Sequence, residues 1–363
     1  MNNRERYLRT MRYQDVDRRP LHLAGPWFDT LARWKREGLP EDVKDVHEHL
    51  GVKDRGVKLF QVNGVAVIFP PFEQKVLKED DETIVSRDNY GRTVLNFKHH
   101  TSFPEWLDFP VKTGDDLRRV MDEHFDISNL DARYDDSWRK KVEEAKKDPD
   151  AVILLDGGCY YWTLRSLAGV ENASYLLYDA EELVDELFER YFTVVMDGLL
   201  RLTTLVRVDV IGYGEDLAYK NGPLISPEMF RKLILPRYRK AMDFAHEKGV
   251  DFAWYDSDGD VRMFIPDYLS AGINGLAPCE VAAGMDPVEL RRRFGRELRM
   301  VGGFDKRIAA RGKEAIDAEF RRLRPVIEDG GYIPGIDHSV SADISWDNYR
   351  YYLDAAQKAV AIL

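Results

Sequence analysis

The stretch VDFAWYDSDGDVR, Val250 to Arg262, carries an apolar run straight into three aspartates on alternate positions, Asp256, Asp258 and Asp260. The run has the length and β-branched, aromatic character of a buried strand. Like charges this close raise one another's pKa and cost free energy unless a cation, a proton or a positive substrate group offsets them. The strand end therefore calls for a partner.

The same pattern recurs along the chain. From about Ala151 a short apolar run, a polar or Gly-containing turn and a helical stretch alternate, which is the mark of βα units around a parallel sheet. The strand candidates are AVILLDGG, VDVIGYGED, VDFAWYDSD, INGLAPCE, LRMVGGFD and GYIPGIDH. Between them, Ser226 with Pro227 and Asp286 with Pro287 read as helix starts, and Gly249 and Gly295 as helix ends. With RPLHLAG and KLFQVNGVAVIF as earlier strands, the count approaches the eight of a TIM barrel, so the expected class is α/β, a (β/α)8 barrel in one domain over 1–363. A doubly wound open sheet would be expected to show a Gly-rich phosphate loop, and none is present. Residues 27–150 are less regular: a helical stretch, then a β-meander or hairpin turning near Asn89 to Gly91, predict an elaboration over one barrel mouth.

Composition narrows the partners. Among 363 residues, 44% are apolar and 32% charged, and the formal charge is −11, which disfavours nucleic acid and anionic membrane. No apolar run approaches the ~20 residues needed to cross a bilayer, and the N-terminus lacks the apolar centre of a signal peptide; a cytoplasmic location is expected. Two cysteines, Cys159 and Cys279, exclude a disulfide framework and a four-cysteine zinc site.

Five of the six late strands end in acids: Asp156, Glu215 with Asp216, Asp256 with Asp258, Glu280 and Asp305; the sixth ends in Asp337 and His338. One such acid is usually the N-cap of the next helix. Six in succession on the face where barrel strands converge predict a functional ring. A metal bound by Asp256 or Asp258 with His338 suits this set, as does a cationic or hydroxylated substrate held without metal. Tyr161 after the Gly pair and Trp27 near the N-terminus are candidate pocket walls.

The segments GEDLAYKNGPLISPEMFRKLILPRY, DSDGDVR, EVAAGMDPVELRRRFG, VGGFDKR and GGYIPGIDHSV, in that order, resemble the uroporphyrinogen decarboxylase superfamily, in its methyltransferase-like branch. The resemblance implies a TIM barrel. True decarboxylases of the superfamily carry an Arg-rich MRQAGRY segment, where this chain reads LAGPWFDTLARW. Its methyltransferases hold zinc with a His-x-Cys pair and a distant Cys; here Asp256, Asp258 and His338 take those places. What the resemblance implies is methyl transfer from a small methoxylated or methylamine-type donor to a corrinoid on a separate protein. In that scheme Glu215, Asp216 and Asp256 are catalytic, and Trp27, Tyr161, Glu280 and Asp305 contact the substrate. Asp258, His338 and Asp256 hold zinc, and a homodimer is the expected assembly. A decarboxylase or lyase acting on a small acid, and a binding protein without turnover, are the alternatives.

Overall fold

The structure, a computed structural model, describes residues 1–52, 59–62, 67–99 and 103–361. The first strand, β1 (Leu59–Val62), is followed by an antiparallel meander, β2 (Lys75–Glu79), β3 (Thr83–Arg87), β4 (Thr93–Phe97) and β5 (Glu105–Asp108). Then come β6 (Val152–Asp156), β7 (Val210–Gly214), the two-residue hairpin β8 (Ala218–Tyr219) and β9 (Gly222–Pro223), β10 (Phe252–Asp256), β11 (Gly275–Ala277), β12 (Arg299–Phe304) and β13 (Tyr332–Ile336). The main sheet runs β1-β6-β7-β10-β11-β12-β13, every neighbouring pair parallel. The segment around His22 adds the remaining element through a parallel bridge to Gly335. Leu21, His22 and Leu23 line one cavity together with Leu154, Gly212, Trp254, Ala277, Val301 and Ile333, so the sheet curls around a common lumen as in a TIM barrel. Of KLFQVNGVAVIF, residues 59–62 form β1, and 63–66 lie outside the described residues.

The helix signals in the sequence act as they read. Ser226 accepts from the Met229 N–H, and Asp286 from the N–H groups of Val288 and Glu289. Between Pro227 and Glu247 the chain widens into a π-helical turn at Phe230–Ile234, immediately before Pro236. Pro236 has no N–H to return to the preceding turn, and the wider turn accommodates the missing bond.

Helix Asn3–Met11 plugs the N-terminal end of the barrel. Its Tyr7, Leu8 and Met11 pack on Val152, Leu154, Val210, Phe252, Trp254 and Ile333, the Trp254 Nε1–H donates to the Tyr7 hydroxyl at 2.6 Å, and Arg4 grips Asp209 at 2.7 Å. The opposite half is hollow, because the positions that face the lumen there are small: Gly212, Gly214 and Ala277. Filling the base and emptying the mouth leaves a chamber at the C-terminal ends of the strands. The meander packs beside that mouth: Arg92 reaches Ser166 at 3.4 Å, and the Val111 N–H donates to the Leu167 carbonyl at 3.0 Å, both on helix Tyr160–Asp179. Among the described residues no helix is long and apolar enough to cross a membrane.

Candidate active site

Two cavities occupy the mouth. The deeper, about 490 Å³, runs into the lumen between Asp156, Cys159, Trp254 and Ile333; the outer, about 530 Å³, is bounded by Asp216, Asp258, His338 and Ser339. They meet at His22, Asp256, Ala277 and Val301, which line both. Asp256 is thus the one carboxyl common to the two, among the described residues.

Strand alternation decides which acids face inward. In β10, Trp254 and Asp256 share the lumen face, as do Leu154 and Asp156 in β6. Among the described residues the Asp256 carboxyl has no hydrogen-bond partner. Burial, reinforced by the charges of Asp216 and Asp258, pushes its pKa up to about 7. Asp256 keeps accessible surface of its own, which faces the two cavities it lines. Asp156 accepts the Gly158 N–H at 3.0 Å on one oxygen, and burial raises it above the ordinary carboxylate range. His22, set by its bridge to β13, is held below the usual imidazole pKa by burial. Cys159 lines the deep cavity, and burial pushes its thiol up, so it is protonated and unreactive at neutral pH.

The outer acids have partners. Asp216, at a left-handed φ of 45°, accepts the Asp258 N–H at 3.2 Å and pairs with Arg165 at 3.4 Å. An aspartate tolerates that backbone region at a cost, and here both contacts hold it in place. Asp258 faces the His338 Nε2 at 3.7 Å, and burial raises its pKa against the opposing charges of His338 and Lys306. Trp27 stands edge-on to the His338 ring, with centroids 6.5 Å apart.

Several expected site residues do other work. Glu215 does not reach either cavity: it is 0% exposed and accepts from the Tyr160 N–H at 2.6 Å, the Trp162 N–H at 3.0 Å and the Tyr238 hydroxyl, holding the start of helix Tyr160–Asp179. Being one residue past Gly214, it points outward into the helix layer, where burial raises its pKa to about 7. Tyr161 is likewise buried in that layer and lines neither cavity. Asp305 caps the short helix Lys306–Ala309 and chelates Arg307 at 2.7 Å. Glu280 accepts the Gly259 N–H at 3.0 Å, bracing the loop that carries Asp258.

The expected zinc ligands Asp256, Asp258 and His338 line the outer cavity together, with Asp258 and His338 paired at 3.7 Å. Among the described residues no three His, Cys, Asp or Glu side chains group as a metal would require. His22, absent from the predicted site, lines both cavities, and Asp156, one of the acids of the predicted ring, lines the deeper one.

Comparison with known proteins agrees with this architecture. The family model described as uroporphyrinogen decarboxylase (URO-D) matches residues 160–359, more than half of the chain. Curated protein sequences give no match. Among solved structures, a methyltransferase from Methanosarcina mazei aligns over 99% of both chains, with TM-score 0.59 and 15% identity, which establishes a shared fold. A B12-independent methionine synthase from Shewanella sp. W3-18-1, in complex with selenomethionine, aligns over 80% of this chain and 73% of its own at 12% identity, and its TM-score of 0.23 is too low to bear on the fold. With its parallel barrel, the acids at its strand ends and the family model spanning 160–359, this chain belongs to the uroporphyrinogen decarboxylase (URO-D) family.

Proposed function

We propose that the chain is a methyltransferase that moves a methyl group from a small methoxylated or methylamine-type donor, held in the lumen cavity, to a corrinoid carried by a separate protein at the mouth. The observation that supports the reading is Asp256, an unpartnered carboxyl where the inner and outer cavities meet, titrating near neutrality. A carboxyl matched to the working pH serves a reaction better than one fixed in either state. A methyltransferase that shares the fold is compatible with the reading. Decarboxylation of a porphyrinogen is disfavoured, since among the described residues no Lys or Arg lines either cavity to receive its carboxylates.

The walls Leu154, Trp254, Val301 and Ile333 exclude water around the donor. When docked, the corrinoid supplies the nucleophile that accepts the methyl carbon. The bonding pair then stays on the donor's oxygen or nitrogen. An ether oxygen needs a proton as its bond to carbon breaks, and Asp256 in its acid form is placed to give one. A methylated ammonium nitrogen leaves as a neutral amine and needs none; there the ionised Asp256 holds the cation instead.

The test is to mix the purified protein with a reduced corrinoid protein and a panel of methoxylated and methylamine donors, following the cobalt absorption spectrum. A spectral change that requires both this chain and the donor is expected. No change with any donor, together with release of carbon dioxide from a small carboxylic acid, would replace methyl transfer by decarboxylation.

A further inference from the structure

We infer that the donor this site takes is a cation, a small methylated ammonium compound, with Asp256 and Asp156 as its counter-charges. The inference takes its methyl chemistry from the reading above, but its claim about charge stands on the lining of the cavity.

Asp156 and Asp256 flank β7, in register with Gly212 and Gly214 respectively. Both glycines line the lumen and present no side chain of their own there, and the Cys159 thiol is the nearest side chain over Gly214. Among the described residues Asp256 has no partner, and Asp156 has one backbone N–H for its two oxygens. His22, the other polar group lining both cavities, makes no side-chain hydrogen bond to the protein, and burial favours its neutral form. Among the described residues nothing in the inner chamber therefore supplies positive charge.

The cations nearby serve the outer acids: Arg165 pairs with Asp216, and the charge of Lys306 acts on Asp258. Around Asp156 stand the Cys159 thiol and the hydroxyls of Tyr90, Tyr191 and Tyr213, all neutral at pH 7. An anionic donor in the inner chamber would meet Asp156 and Asp256, neither of which has a cationic partner among the described residues. A neutral ether would use one of the two acids as its proton source and leave the other without a partner. A methylammonium group offsets both, and the Trp254 ring beside Asp256 adds an aromatic wall of the kind that attracts methylated ammonium.

Choline and 3,3-dimethylbutan-1-ol have nearly the same shape and differ in charge, so isothermal titration of the full chain with each at pH 8 isolates the charge. Choline is expected to bind at least tenfold more tightly than the alcohol. Asp256→Asn removes the preference, and Asp156→Asn, an independent isosteric change, reduces it. Equal affinity for the two compounds, a preference for choline that survives both substitutions, or no choline binding overturns the inference. The cobalt assay with a neutral methoxylated donor then judges methyl transfer separately, since turnover of that donor with no choline binding would sink the cationic donor alone.

Discussion

Asp256→Asn is expected to lower kcat/KM for methyl transfer by about a hundredfold or more while making the protein more stable at pH 8. The loss follows because the carboxyl acts on the donor as proton source or counter-charge, roles that typically contribute 10²–10⁴ in rate. The gain follows from linkage. Asp256 has a pKa of about 7 when folded, against about 4 in an unfolded chain. Between those values the folded state binds more protons than the unfolded state. Its contribution to stability is therefore complete below pH 4 and is lost as pH rises through 7. Glu215, at about 7, and Asp337, at about 6, act in the same direction, so the wild-type melting temperature should fall from pH 5 to pH 8. Asparagine cannot ionise, and the variant should gain about 1 kcal/mol at pH 8; the full shift is discounted because the carboxyl touches cavity water. Parallel melting curves and rates check both halves. A destabilised, inactive variant would mean that Asp256 holds the fold and not the donor.

Gly335→Ala should be strongly destabilising. A Cβ there would lie 2.3 Å from the His22 carbonyl oxygen and 2.6 Å from the His22 Cβ. The nearest atom is backbone, so no rotamer change relieves the clash, and the segment must move off β13. A cost of about 3 kcal/mol is expected, at the upper end for overpacking. The same movement displaces His22 from the junction of the two cavities, so activity should fall as well. Gly25→Ala, where a Cβ would meet nothing within 4 Å, should stay within about 0.5 kcal/mol of wild type. Thermal denaturation of the pair checks this, and equal melting temperatures would show that the first segment does not depend on the close approach to β13.

How far the sequence revealed the site turns on one periodicity. Strand runs and their terminal acids were legible because parallel strands buried on both faces read as continuous apolar stretches with polar ends. Which acid faces the lumen was not taken from those runs, although the period of two contains it. In VDVIGYGED the glycines 212 and 214 share one face, which sends Glu215 to the other. In AVILLDGG and VDFAWYDSD the acids Asp156 and Asp256 share the face of Leu154 and Trp254. Asp305 looked like part of the ring until its neighbour Arg307 was seen to fold back on it, a contact set by the short helix after β12. His22 gave no local signal: its place depends on a bridge to a residue more than three hundred positions away.

The most direct measurement is the pH dependence of single-turnover methyl transfer from a methylated ammonium donor to the corrinoid protein, in wild type and Asp256→Asn. The account predicts a wild-type rate that rises through an inflection near pH 7 as Asp256 ionises, and a slow, flat profile in the variant. An inflection that survives unchanged in Asp256→Asn, or a wild-type rate with no inflection in that range, would contradict it.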